Sequence, residues 1–315
     1  MVDSKRKAHW IALILLCCCG VPFSVIVKAI MVAKSQHTRR HNHLAASFDI
    51  SPNGKEMVIA LPHDSMDIYI YNLETKAISP LVSTANYEWA PRFSSDGMKI
   101  VYSGGIPGDR ADHIFVYDLK SKSIIQVTSG DFNDTSPSFY DNDSKIFFAR
   151  EDHYRWGGLM SSWDEFGPIY NLDLSNKQVS LVDRESYFRY TITPAGRLIN
   201  ICLDSAKPTK QLKNASSSSL FDLQLDKSGD TVLIEDDNSS KISEVSLSSG
   251  KKSEVFHESI RMYTHHPRYS PDRKSIYYVS LDLNSFAIRK IDRKSGKSED
   301  VFDSREFVHF ATHPE

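Results

Sequence analysis

Seventeen residues, Glu151 to Gly167 (EDHYRWGGLMSSWDEFG), hold the densest set of chemistry-bearing side chains in the chain. Asp152, His153, Tyr154, Arg155 and Trp156 come in succession, and Trp163 follows with Asp164, Glu165 and Phe166. Aromatic rings beside an arginine anchor protein interfaces, and the same rings stack on sugars. A loop of this composition also folds over its own aromatics, so binding and capping both fit it. A second polar stretch, Gly104 to Asp112 (GGIPGDRAD), carries Arg110 and leads into His113. These eight, Asp152, His153, Tyr154, Arg155, Trp156, Trp163, Arg110 and His113, are the candidate binding residues.

Other chemistries find less support. His63, His113, His153, His265 and His266 include no HxH or HxxxH pair, the spacings that bring two imidazoles onto one metal. No metal and no cofactor is therefore expected. Asp141-Asn142-Asp143-Ser144 has a calcium-loop flavour, but turn chemistry explains it. There is no Gly-x-Ser-x-Gly nucleophile turn and no glycine-rich phosphate loop ahead of a helix. No catalytic residue is assigned.

The elements that must position these side chains repeat. Short strand–turn–strand stretches begin at Ser51, Ser94, Tyr140, Thr193, Asp226, Ser270 and His313, at steps of 43, 46, 53, 33, 44 and 43 residues. A period near 40–45 residues with four strands per unit is the signature of a propeller blade. In the second unit the strands are expected at Trp89–Ser94, Met98–Tyr102, His113–Leu119 and Ser123–Thr128, with Ser95-Asp96-Gly97 turning between the first two. The third strand recurs from Ile68, Ile114, Ile169, Ile242 and Ile288. The fourth unit is defective, because Asp204 to Ser219 (DSAKPTKQLKNASSSS) shows no alternation. The seventh start supplies one strand, Phe307 to His313. The pattern predicts an all-β, six-bladed propeller with one defective blade and a surplus C-terminal strand that closes the ring. The second-to-third-strand loops and the blade connectors, among them Pro62–Asp67, Thr84–Glu88 and Glu151–Gly167, emerge on one face, where binding is expected.

Ser-Pro-Asn-Gly-Lys, Ser-Ser-Asp-Gly-Met-Lys and Ser-Pro-Asp-Arg-Lys, each followed by a β-rich strand and an Ile-x-x-x-Asp/Asn strand, resemble the repeats of the TolB-like propeller family. The resemblance runs from about Ser47 to the C-terminus and is specific for fold. It implies no one activity, since the family includes protein-binding propellers, the propeller halves of oligopeptidases and a few enzymes. Neither the α/β domain of TolB nor a hydrolase domain accompanies the repeats in this sequence.

Composition and charge set the remaining limits. The chain has 315 residues and a net charge of −2, with residues 1–46 at +6 and the rest at −8. An acidic body gives no reason to expect a nucleic-acid partner. Of four cysteines, three (Cys17, Cys18, Cys19) sit in the N-terminal segment, which leaves Cys202 without a disulfide partner in the body. Trp10 to Val27 is 18 residues without a charge, about 27 Å as a helix. It reads as an uncleaved signal-anchor or, less well, a cleaved signal peptide.

The expected layout is a basic cytoplasmic tail (1–9), a transmembrane helix (10–33), a linker (34–46) and the propeller (47–315). The corresponding function is a non-catalytic propeller held in the cell inner membrane through residues 10–33. It would face the periplasm or exterior and bind a protein or glycan partner. The alternative is a propeller enzyme acting on carbohydrate, of lyase or glycosidase type, with a central-pocket active site.

Overall fold

A computed structural model describes residues 47–62, 66–84, 86–105, 111–151, 168–184, 189–192, 198–201, 224–225, 229–236, 240–258, 263–281 and 285–307. Residues Ala46–Glu315 form one compact unit. The described residues are almost all β. Blade 1 is β1 (Phe48–Ile50), β2 (Glu56–Pro62), β3 (Met66–Asn72) and β4 (Ile78–Val82). Blade 2 is β5 (Glu88–Phe93), β6 (Lys99–Gly104), β7 (His113–Asp118) and β8 (Ser123–Gln126). Blade 3 is β9 (Asn133–Tyr140), β10 (Lys145–Glu151), β11 (Ile169–Asp173) and β12 (Val179–Asp183). A lone hairpin, β13 (Arg189–Ile192) and β14 (Leu198–Ile201), follows. Blade 4 is β15 (Gln224–Leu225), β16 (Thr231–Asp236), β17 (Lys241–Ser246) and β18 (Lys252–His257). Blade 5 is β19 (Tyr263–Tyr269), β20 (Ser275–Leu281), β21 (Phe286–Asp292) and β22 (Ser298–Asp303). Each blade is an antiparallel meander in sequence order.

Three expectations are corrected. The described residues form five four-stranded blades, not six, because the fourth repeat supplies only the two-stranded β13–β14 sheet. No surplus strand begins at Phe307. Ser304–Phe307 is a helical turn instead, and residues 308–315 lie outside the described residues. Among the described residues no helix is long and apolar enough to cross a membrane. The predicted anchor at 10–33 lies outside the described residues, so membrane attachment and a single-pass inner-membrane location have no structural support and are dropped.

Blades 5 and 1 meet through side chains rather than a shared strand. Phe48, Ile50, Met57, Ile59, Leu61 and Tyr71 of blade 1 pack with Tyr277, Val279, Phe286, Ile288 and Phe302 of blade 5, and with Phe307. The Tyr71 hydroxyl donates to the Val301 carbonyl at 2.8 Å, and Phe307 meets the Tyr69 ring edge-on at 5.0 Å. Alternation along β2 and β20 puts one apolar row into each blade interface. Blade 1 uses its other row, Val58 and Ile68, against Phe93, Ile100, Tyr102 and Tyr117 of blade 2.

The first turn of each repeat explains why the sequence motif recurs. Ser51 Oγ accepts from the Glu56 amide at 2.9 Å and bonds Asn53 Oδ1 at 2.7 Å, while Gly54 takes φ 72°. Ser94, Asp96 and Gly97 repeat this in blade 2, and Ser270 and Asp272 in blade 5. These turns also touch around the ring. Pro271 lies against Gly54, and Pro52 against Gly97, where an added Cβ would stand 3.3 Å from the proline ring. Blade 2 has Ser95 in place of the proline, and the next turn has Asp143 in place of the glycine. Asp143 accepts from the Ser95 amide at 2.8 Å and from its hydroxyl at 2.6 Å. An apolar contact is thus exchanged for a polar one with both partners changed together.

Candidate active site

The innermost strands carry a shared irregularity. Ala90-Pro91, Ser136-Pro137 and His266-Pro267 occupy the same place in β5, β9 and β19. Ala90, Ser136 and His266 have φ of 52°, 53° and 52°, and the ladder slips a residue beside each. Proline has no N–H to give the ladder, so a bulge is the natural outcome. The bulge fixes what lies three residues ahead of the proline, where the strand leaves the blade connector. That position is Glu88 in blade 2, Asp134 in blade 3 and Thr264 in blade 5.

In blade 3, Asp134 sits directly opposite Arg150 on β10. Arg150 Nε and Nη2 donate to the two carboxylate oxygens at 2.6 and 2.8 Å, and both residues are buried. The guanidinium is enclosed by the rings of Phe132, Phe148 and Tyr170, at 4.5, 5.3 and 5.3 Å. In blade 5 the matching pair is neutral, Thr264 opposite Ser280.

Blade 2 has the acid without the cation. Glu88 is 2% exposed, and the residue opposite it is Gly104. Its Oε1 accepts from the Thr84 hydroxyl, whose oxygen in turn accepts from the Asn86 amide at 3.1 Å. Its Oε2 has no hydrogen-bond partner among the described residues. Burial pushes the Glu88 carboxyl up to about 7, the Thr84 hydrogen bond opposes this, and the nearby Asp67 carboxylate adds to it. Asp67 is buried and accepts from the Ser83 hydroxyl at 3.1 Å. Ser83 and Thr84, adjacent in the connector, thus hold one carboxyl each. Tyr87, next to Glu88, is 45% exposed, and its carbonyl accepts from the Gly105 amide at 3.2 Å. The arrangement is a buried carboxyl whose proton is held up to about 7, with a second carboxyl near it.

Of the residues singled out from the sequence, Asp152, His153, Tyr154, Arg155, Trp156, Trp163 and Arg110 lie outside the described residues. His113 is described, as the first residue of β7, and is 1% exposed. It pairs with Gly104 from the side opposite Glu88, so Glu88 and His113 flank the same glycine on one face of the sheet. Asp67 and Glu88 fall in the stretches Pro62–Asp67 and Thr84–Glu88 but were not distinguished within them. Aligning the repeats on the inner-strand proline would have found Glu88, since blades 2 and 3 share an acid three residues ahead of it. Among the described residues no group of three or more His, Cys, Asp or Glu converges in a way that could hold a metal.

Solved structures share this fold. An oligogalacturonate lyase from Vibrio parahaemolyticus is 12% identical, with 82% of this chain and 79% of that one covered and a TM-score of 0.53. An oligogalacturonate lyase in complex with manganese is 10% identical, covering 79% and 74%, with a TM-score of 0.51. Hydrazine synthase from Kuenenia stuttgartiensis is 12% identical, covering 76% and 41%, with a TM-score of 0.58. The chain spans about half of TolB from Acinetobacter baumannii, covering 52% of it at 15% identity with a TM-score of 0.39. At such identities the likeness is one of fold. The profile of the TolB beta propeller domain matches residues 31–228, well over half of the sequence, and with the repeated turns, bulges and blades described above the chain belongs to that family.

Proposed function

We propose that this propeller is an enzyme acting on carbohydrate, with Glu88 as the group that transfers the proton. The observation that carries the reading is the uncompensated Glu88: an acid at a conspicuously buried strand start, opposite a glycine where the next blade has an arginine. Cleaving a glycosidic bond, by hydrolysis or by elimination, requires a proton for the departing oxygen. A carboxyl with its pKa near the working pH delivers one efficiently. Glu88, held at about 7, meets that requirement. Asp67, near enough to raise the Glu88 pKa, is the second carboxyl that two-carboxylate mechanisms use.

Two further points support the substrate class. The lyases that share the fold act, by their names, on oligogalacturonate. The site also stands on the loop-bearing side of a rigid scaffold, where propellers place binding. One of those lyases binds manganese. Because no metal-ligand cluster occurs among the described residues here, no step is routed through a metal.

The test is to incubate the full-length chain with neutral and uronic-acid oligosaccharides and follow products by mass spectrometry and by the absorbance of unsaturated uronides. Turnover of one class, reduced about 10²–10⁴-fold in Glu88→Gln, is expected. A folded chain that cleaves none of them, or a Glu88→Gln variant as active as the parent, would overturn the proposal.

A further inference from the structure

The charge around Glu88 is of one sign. Among the described residues of the stretches 62–67, 83–88 and 104–113 the acids are Asp67, Glu88 and Asp112, and there is no lysine or arginine. Asp112 reaches the corner from the loop between β6 and β7. Its Oδ1 stands 3.9 Å from where a Cβ on Gly105 would lie, and the Asn86 side chain is 3.5 Å from the same point. Gly105 is the residue whose amide holds the Tyr87 carbonyl, next to Glu88. The backbone fixes Asp112 there: its amide donates to Asn133 Oδ1 at 3.1 Å, and its carbonyl accepts from the Asp134 amide at 2.8 Å. Glu88 Oε2, buried and without a hydrogen-bond partner among the described residues, is the atom left over for a ligand.

The arginines on the inner strand pairs of blades 2 and 3 are engaged elsewhere. Arg92, on the same strand as Glu88, is buried and donates from Nη1 to the Phe48 and Pro91 carbonyls at 3.1 and 2.6 Å. Arg150 is held by Asp134. Lys99 and Lys145 start β6 and β10, at the strand ends away from Gly104 and Glu151. The complete sequence of the three stretches has the same sign: Asp64, Asp67, Glu88, Asp109 and Asp112 stand against Arg110.

This separates two ways of breaking a glycosidic bond. Elimination from a uronate takes the proton from the carbon beside the carboxylate, and the negative charge that builds on that carboxylate needs a cation facing it. Carboxylates here oppose it, each by about tenfold for a second negative charge about 5–6 Å away. Hydrolysis of a sugar without a carboxylate meets no such penalty.

We propose that the reaction at Glu88 is hydrolysis of a glycoside that carries no carboxylate. The inference rests on the carbohydrate reading above and narrows it. The bond from the anomeric carbon to the departing oxygen breaks, and that oxygen takes the Glu88 proton. The oxygen of a water molecule ends on the anomeric carbon and its proton restores Glu88, so each bond cleaved consumes a water.

The test is to incubate the full-length chain in heavy-oxygen water with oligogalacturonate, with its carboxyl-reduced counterpart and with a panel of neutral oligosaccharides, each with and without added manganese, and to follow products by mass spectrometry. A neutral substrate should be cleaved with heavy oxygen at the new reducing end, at least about 10²-fold faster than oligogalacturonate. Asp112→Lys should raise the affinity of oligogalacturonate as a competitor about tenfold relative to that of the neutral substrate. Asp112→Asn, the milder change, should move it in the same direction. Unsaturated products from oligogalacturonate, in either manganese condition, overturn the inference and leave the carbohydrate reading standing. So does a competitor affinity that neither variant moves. Cleavage of none of the sugars overturns both.

Discussion

Blades 2 and 3 start their inner strands with an acid at the same position, and the two acids are treated in opposite ways. Asp134 meets a bidentate guanidinium boxed in by three aromatic rings. Glu88 meets Gly104. The backbone frame, the bulge and the burial are alike, so the residue across the ladder is what separates a structural ion pair from a carboxyl pushed up to about 7. Position in the fold alone does not separate the two acids; burial without a cation across the ladder is what raises the Glu88 carboxyl.

The largest effect expected from breaking this contrast is in blade 3. Arg150→Ala leaves a buried carboxylate without its cation, which costs about 3–5 kcal/mol, whereas Glu88→Gln should change stability at neutral pH by less than about 1 kcal/mol or raise it. Urea denaturation of the two variants checks this, and equal losses would remove the distinction.

Gly104→Arg sharpens the contrast by giving blade 2 the arrangement of blade 3. Its Cβ would stand 3.3 Å from the Tyr87 carbonyl, so that loop must give by a few tenths of an ångström. The graft should hold Glu88 ionised at neutral pH and lower turnover about as far as Glu88→Gln does.

The pH dependence of stability follows from the direction of the shift. Glu88 binds its proton more tightly folded than unfolded, at about 7 against an ordinary 4.5. Its contribution is complete below about 4.5 and is lost as pH rises through about 7. The parent chain should therefore lose stability relative to Glu88→Gln across that window, measured by thermal melts at fixed ionic strength. A constant difference would mean that Glu88 titrates alike in both states.

The smallest effects belong to the turns. Gly97→Ala must hold φ 71° and crowd Pro52, which costs about 1–2 kcal/mol. Asp143→Ala, which removes the bonds to Ser95 across an exposed contact, should cost about 0.5–1 kcal/mol. Thermal melts of both variants check the ranking.

Much of the fold is legible in the sequence because each repeat writes its own turn. Ser51, Asn53 and Gly54 satisfy one another within a few residues; blade 2 repeats the triad, and blade 5 repeats the Ser–Asp pair with Arg273 at φ 62° in the glycine's place. The strands of blade 2 stand within two or three residues of where alternation puts them. The blade count was not legible, because the fourth repeat keeps its turn grammar while its described strands form only a hairpin. Ring closure was expected from a C-terminal strand starting at Phe307, but Phe307 closes it from a helical turn. Closure rests on Tyr71 against Val301 and Phe302 and on Tyr69 against Phe307, contacts across more than two hundred residues that no local pattern records.

The site was hidden for a different reason. Composition drew attention to the aromatic stretch after Glu151. Glu88 matters through Gly104, 16 residues away, and that pairing depends on a one-residue slip at Ala90 and Pro91. Only cross-strand register shows that an arginine in one blade has become a glycine in the next.

The most direct measurement is an NMR titration of the side-chain carboxyl of Glu88, assigned by its loss in Glu88→Gln. A midpoint near 7 is expected, displaced downward in Gly104→Arg. A midpoint in the ordinary glutamate range, near 4.5, would show that the missing arginine leaves no mark on this acid and would contradict its role as proton donor.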